Sequence, residues 1–209
     1  MLTAKGVLAV LKLIKGLGIS EVAEDFLIPE SRLREIIEIL SNKGLLIVND
    51  KISATFDQKL SLIYLSLDLG ATLEEISRVL SWRDFEDLVA YILEENGYKV
   101  KRHVILPKRR EIDVIALKRD LCLSIDCKQW KRNLYPAMLM RIIREQIDRS
   151  RVLAEVFSIK ETYPLIVTLL EWKKPLLMNV PIVPIGKLRD FLSEFEGLRQ
   201  EIFCIRRVT

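Results

Sequence analysis

The sequence predicts a mainly helical N-terminal domain, residues 1–80, followed by an α/β layered domain, residues 81–209, whose mixed sheet is flanked by helices. Three observations point there. Apolar residues recur at helical spacing through the first eighty residues or so, the spacing changes to strand-like alternation after Asn96-Gly97, and the charge balance changes with it. Residues 1–80 carry nine Lys/Arg against eleven Asp/Glu, leaving twenty-four against eighteen for residues 81–209. A surface that attracts a polyanion is therefore expected in the second half.

In the first half, Val7, Leu8, Leu11, Ile14 and Leu17 recur every three or four residues and predict a helix from Leu2 to Leu17. A second helix is expected from Ser20, read as its N-cap, to Phe26. Pro29 opens a third, with Leu33, Ile36, Ile37 and Leu40 on one face and Gly44 as its stop. The runs Leu45 to Val48 and Lys51 to Ala54, joined by Asn49-Asp50, read as a hairpin. Three helices and a hairpin in this order resemble a winged helix, although the third helix sets Glu35 and Glu38 beside Arg32 and Arg34. Further helices are expected from Gln58 to Leu69 and from Thr72 to Leu80, where Thr72 and Glu75 have capping-box spacing.

The second half opens with an amphipathic helix, Trp82 to Glu95, ended by Asn96-Gly97. Strands are expected at Tyr98 to Leu106, Glu111 to Lys118 and Leu121 to Gln129, the last two forming an antiparallel hairpin about Arg119-Asp120. A helix from Ala137 to Val156, a strand at Leu165 to Leu170, the segment Val180 to Pro184, a helix from Lys187 to Glu196 and a strand at Glu201 to Ile205 follow. This is the order of an α/β layered domain.

Several classes are excluded or disfavoured. No apolar run reaches the roughly 18 residues of a membrane span, and the start of the chain, interrupted by Lys5, Lys12 and Lys15, is unlike a secretory signal. Three cysteines without CxxC spacing and one histidine do not suggest a zinc site or a disulfide framework. A soluble cytoplasmic protein is expected.

Asp113 interrupts the apolar run Ile112, Val114, Ile115, Ala116, where a carboxylate is costly unless an ion or partner compensates it. Asp126 and Lys128 share one face of their strand while Cys127 faces away. An acid two residues before a lysine recurs at Asp57/Lys59 and Glu171/Lys173, so the spacing alone decides nothing. Only Asp126/Lys128 ends an apolar strand with an acid on the strand before it. Two carboxylates and an ammonium group brought together there suit the hydrolysis of a phosphodiester with a divalent cation.

The segments FEDLVAYILEENGYKV (85–100), REIDVIALKR (110–119) and LSIDCKQW (123–130) resemble the PD-(D/E)xK nuclease superfamily, most closely its Mrr-like restriction-endonuclease branch. The resemblance implies a restriction-endonuclease-like fold and a metal-dependent DNA endonuclease. It implies that Asp113 and Asp126 hold Mg²⁺ or Mn²⁺ with the Cys127 backbone carbonyl, that Lys128 orients or activates water, and that Glu86 supports water or a second ion. Two positions depart from the family pattern: Asp126 stands where glutamate or glutamine is usual, and Glu111 where a glycine is often found.

DNA backbone contacts are expected from Lys101, Arg102, Lys108, Arg109, Arg110, Gln129, Lys131 and Arg132, with Arg141, Arg144, Arg149 and Arg151 extending the groove. Gln146 and His103 read as surface residues. A homodimer is expected, since cutting two strands usually needs two centres. The other open reading is a DNA-binding regulator or scaffold that keeps the nuclease fold without turnover.

Overall fold

The computed structural model describes residues 1–129, 135–172 and 174–207. The chain divides into two compact units, Met1–Asp84 and Phe85–Thr209.

The first unit contains α1 (Ala4–Leu13), α2 (Ile19–Asp25), α3 (Glu30–Asn42), the two-residue strands β1 (Ile47–Val48) and β2 (Ile52–Ser53), α4 (Phe56–Asp68) and α5 (Leu73–Val79). Helix α1 is central and packs on α2, α3, α4 and α5, which explains why Val7, Ala9 and Val10 are fully buried. Gly6 lets α3 approach closely, because a Cβ there would lie 2.5 Å from Ile36 Cδ1. The capping box Thr72/Glu75 forms as the spacing predicts, and Thr55 with Gln58 makes a second one, so α4 starts two residues earlier than expected. Ser20 is not an N-cap: α2 begins at Ile19 behind Gly18, which offers no side-chain cap. Strands β1 and β2 pair antiparallel across Asn49, Asp50 and Lys51, so Lys51 belongs to the turn rather than to the second strand.

The second unit follows, the division falling in the first turn of α6 (Trp82–Glu95). Gly97 ends this helix with a φ of 80°, a left-handed conformation that glycine adopts without steric cost. Then come β3 (Lys99–Leu106), β4 (Arg110–Lys118), β5 (Leu121–Lys128), α7 (Pro136–Phe157), β6 (Glu161–Thr168), β7 (Leu176–Leu177), β8 (Val180–Pro184), α8 (Leu188–Leu198) and β9 (Ile205–Arg206).

The mixed sheet has the order β3-β4-β5-β6-β8-β7, with β9 pairing the start of β6. Strands β3, β4 and β5 are antiparallel, whereas β5, β6 and β8 run parallel. A parallel pair needs a long crossover, and α7 supplies it between β5 and β6. Leu139, Ile143 and Ile147 of α7 pack on Ile166, Val180 and Ile182, so the helix covers the sheet face that also carries the even-numbered side chains of β5.

Two strands differ from expectation. β6 begins at Glu161 rather than Leu165, because Tyr163 is buried and the parallel ladder with β5 starts at Leu121. The last strand is only Ile205–Arg206, since β9 meets β6 just at Glu161 and Thr162. The short β7 was not expected; it exists only as a hairpin partner for Pro181 and Val180 of β8. No described helix is long and apolar enough to cross a membrane.

Candidate active site

The sheet brings the expected acids together through register. The β4–β5 ladder pairs Ile115 with Ser124 and ends at Val114 with Ile125, so Asp113 and Asp126 are the next residues beyond it on the two strands. On the other side, Arg102 pairs with Val114 and Val104 with Ile112, which sets His103 opposite Asp113. Polar residues thus stand at neighbouring places on three strands, flanked by apolar Ile112, Val114, Ile125 and Cys127 on β4 and β5 but by Arg102 on β3.

Asp126 is almost fully buried, at 3% exposure. Lys128 Nζ lies 2.9 Å from each of its carboxylate oxygens and donates to Oδ1. Arg149 Nη2, from α7, also lies 2.9 Å from Oδ1. Oδ2 is sealed from solvent and accepts no hydrogen bond. Asp113 Oδ2 accepts the backbone N–H of Cys127 at 2.7 Å. Burial, and then the charge of Asp126, push the Asp113 carboxyl up to about 6, against the Cys127 hydrogen bond and the Lys128 charge. Glu86 adds to the same repulsion and is itself 2% exposed on the inner side of α6.

Cys127 turns its side chain into the core, where burial holds the thiol well above its ordinary pKa. Its backbone faces β4, because successive strand residues direct their backbone groups to opposite edges and Lys128 gives its carbonyl to Leu169.

These donors fit a small divalent cation. They are hard oxygens, burial and their mutual repulsion already raise Asp113, and Asp126 Oδ2 is a buried acceptor that takes no hydrogen bond, with Lys128 Nζ 2.9 Å away as an ion pair. Among the described residues no three His, Cys, Asp or Glu side chains are grouped to hold an ion. Two carboxylates suffice for Mg²⁺, which keeps waters and takes substrate phosphate oxygens for its remaining positions.

Glu86 is not the solvated helix acid that its place on α6 allows. His103, with a φ of 52°, brings Nε2 to 3.5 Å from Glu86 Oε2 and Nδ1 to 3.1 Å from Glu111. Glu111 stays exposed, as expected of a residue at the strand's start.

Gln146 corrects the surface reading. It is fully buried, donates to the Ser124 carbonyl at 2.7 Å, and accepts from Arg149 Nε at 3.0 Å. The overlooked signal is that Gln146 sits between Ile143 and Ile147 on the buried stripe of α7.

Of the expected phosphate contacts, Lys101, Arg102 and Lys108 to Arg110 lie along β3 and the turn into β4. Lys108 and Arg109 are both left-handed there, with φ of 62° and 54°. Arg102 already pairs with Asp87, and Lys101 lies 5.7 Å from the Phe157 ring centre. Gln129 directly follows β5. Lys131 and Arg132 lie outside the described residues. In the first unit, Arg32 pairs with Glu35 and Arg34 with Glu30, which neutralises the basic residues of α3. The other acid-x-lysine pairs make no comparable site: Lys59 bridges to Asp84, Glu171 to Lys187, and Lys173 lies outside the described residues.

Residues 77–151 match the family described as restriction endonuclease, through its Mrr-type catalytic domain. The span contains Glu86, Asp113, Asp126, Lys128 and Arg149, and over it the resemblance drawn from the sequence is borne out. A curated relative, an uncharacterized protein of Archaeoglobus fulgidus, is 28% identical over 120 residues, covering 54% of this chain and 91% of the relative. Among solved structures, a protein of unknown function is 26% identical with a TM-score of 0.32, covering 40% of this chain and 44% of that one. A protein of Vibrio cholerae is 12% identical with a TM-score of 0.40, covering 94% and 51%. The small subunit of a heterodimeric restriction endonuclease is 12% identical with a TM-score of 0.34, covering 54% and 68%. The chain spans about half the length of the first two solved chains.

Proposed function

We propose that this restriction-endonuclease-like domain is a metal-dependent DNA endonuclease that hydrolyses phosphodiester bonds, with Asp113, Asp126, Lys128 and Glu86 as its site residues. One observation carries the reading: two aspartates stand just beyond the last paired residues of neighbouring strands with a lysine bound to one of them, and burial plus their repulsion lifts Asp113 to about 6. A position that costly in a metal-free protein suits one built to bind a cation.

Asp113 and Asp126, with the Cys127 carbonyl, would hold Mg²⁺ or Mn²⁺. When bound, the ion supplies Lewis-acid charge to the phosphate and eases deprotonation of water. Lys128 has three donors to orient the attacking water and to neutralise charge gathering on the phosphate. Glu86, buried and within reach of His103, would accept a hydrogen bond from that water. Lys101, Arg102, Lys108, Arg109, Arg110, Gln129, Lys131 and Arg132 would follow the DNA backbone, giving affinity that falls steeply with salt. The first unit would act as a winged helix that docks or pairs copies rather than reading bases, since the arginines of α3 are engaged by Glu30 and Glu35. A homodimer, in the cytoplasm, would place one centre on each strand.

One observation favours the second reading, a DNA-binding scaffold without turnover: Asp126 is already held by two cations. Incubating supercoiled plasmid and a branched duplex with Mg²⁺ separates the two. Cleavage that Asp126→Ala abolishes and Lys128→Ala sharply reduces is the expected result. Salt-sensitive binding without cleavage under any divalent metal favours the scaffold, and equal cleavage by both variants removes the assigned roles.

A further inference from the structure

In this arrangement neither oxygen of Asp126 is available to an ion. Oδ1 faces Lys128 and Arg149 together, and Oδ2 is sealed from solvent. Coordination therefore requires one of the covering cations to move. Lys128 stands two residues away on the same strand, so its backbone moves with Asp126. Arg149 reaches in from α7, a separate element, and its side chain keeps 22% exposure.

Arg149 is also aimed. Gln146 gives its amide NH₂ to the Ser124 carbonyl and, at 3.3 Å, to Ser124 Oγ, which leaves Oε1 to face Arg149 Nε. Ser150 Oγ closes the network, donating to the Gln146 carbonyl at 2.8 Å and lying 2.9 Å from Ser124 Oγ, whose hydroxyl can donate to it. A fully buried amide thus links the backbone of β5 to a guanidinium that returns to β5 two residues further on. A satisfied buried network of this kind fixes geometry.

We propose that Arg149 is a latch on the metal site: in the DNA-free protein it holds Asp126, and on DNA binding it exchanges that carboxylate for a backbone phosphate, so that cation loading and DNA binding are coupled. The inference rests on the nuclease reading above and deepens it. The chemistry of the exchange is favourable on both sides. A guanidinium fork matches phosphate as well as carboxylate, and DNA supplies a phosphate at the place where the freed carboxylate takes up an ion. Gln146 keeps Arg149 at the site throughout, by its hold on Nε.

The test is calorimetric titration of Ca²⁺, a hard cation with the same preference for oxygen ligands, into the full chain, alone and with a short duplex. For the wild type, weak binding alone and an affinity gain of about tenfold or more with duplex are expected, and Ca²⁺ should tighten duplex binding by the same factor. Arg149→Gln is expected to bind Ca²⁺ several-fold more tightly without DNA, with the duplex-induced gain reduced by that factor. Arg149→Lys should move in the same direction by less, and serves if the glutamine variant melts early. Lys160→Gln, which removes equal charge from an exposed pair with Asp120 without touching Asp126, should stay within about twofold of wild type. DNA-free Ca²⁺ affinity in Arg149→Gln that equals or falls below the wild type overturns the latch. If Asp126→Ala still abolishes Ca²⁺ binding and cleavage in that case, the nuclease reading survives. Absence of Ca²⁺ binding to every form, with and without duplex, overturns both.

Discussion

At the start of β6, Glu161 accepts hydrogen bonds from Arg199 and, at 3.2 Å, from Tyr163, while Arg206 lies 3.4 Å from its second oxygen. At the far end of the neighbouring strand β5, Asp126 meets Lys128 and Arg149 at similar distances. Each cluster sets a carboxylate between two cationic side chains, but the charge balance differs. Burial raises Glu161, yet the hydrogen bonds from Arg199 and Tyr163 and the charge of Arg199 outweigh it and hold the carboxyl below its ordinary value. At the other end three acids share two cations, and Asp113 is forced up to about 6. The first cluster is a satisfied tie between β6, α8 and β9. The second carries a repulsion that the Cys127 hydrogen bond and the Lys128 charge relieve only in part. Proteins keep such expense where a ligand compensates it.

Replacing Asp113 should break this contrast most visibly, because function and stability are expected to move in opposite directions. Asp113→Asn should lower Mg²⁺-dependent cleavage by more than about a hundredfold, beyond the usual effect of removing a group behind a metal ligand. In chelator-treated protein at neutral pH the same change should raise unfolding free energy, by up to about 3 kcal/mol if the full shift from 3.8 to about 6 is recovered. A chemical-denaturation series that finds the variant less stable than the wild type would contradict the assigned repulsion.

The pH profile sharpens the same point. A carboxyl whose folded pKa lies above its unfolded value binds more protons when folded, so its contribution falls as pH rises from about 4 through about 6 and stays lost above. The metal-free wild type should lose stability across that window relative to Asp113→Asn. Parallel curves for the two proteins would refute the sign.

Gln146→Leu should cost about 1–3 kcal/mol, since it strips a donor from the buried Ser124 carbonyl and removes the acceptor that holds Arg149. Thermal melts would read the stability loss. Glu161→Gln carries the smallest effect: roughly 1 kcal/mol for a partly exposed ion pair, with cleavage unchanged. Its stability contribution has the opposite pH sense, present above the unfolded pKa and lost as pH falls through the lowered folded one. Equal pH responses at the two clusters would remove the distinction drawn here.

Much of the second unit was legible in the chain. Alternation and the Arg119-Asp120 joint imply an antiparallel hairpin, and its register carries Asp113 and Asp126 to adjoining places just past Val114 and Ile125. Phe85, Leu88, Val89, Ile92 and Leu93 mark α6, and their burial follows the helical period. The interruption of a buried run by Asp113 was itself a signal, because strand interiors do not carry charge without compensation. Less was legible where partners lie far apart in sequence. His103 reads as a surface residue and is exposed, but its pairing with Glu86 and Glu111 lies beyond what local pattern shows.

Arg149 and Gln146 show the same limit most clearly. Helical periodicity places Gln146 on the buried stripe of α7, yet it does not say which strand the stripe covers or which atom a buried amide will meet. That depends on how α7 lies across β5 and β6 after the parallel crossover has closed, a matter of non-local packing. The sequence alone determined the elements, the acid-bearing strands and the excess of positive charge in the second half, because these follow from local period and composition. The tertiary structure decided that Asp126 is clamped, that Glu86 is buried and that an arginine from α7 stands over the site, because hydrogen bonds between distant residues exist only once packing has brought them within reach.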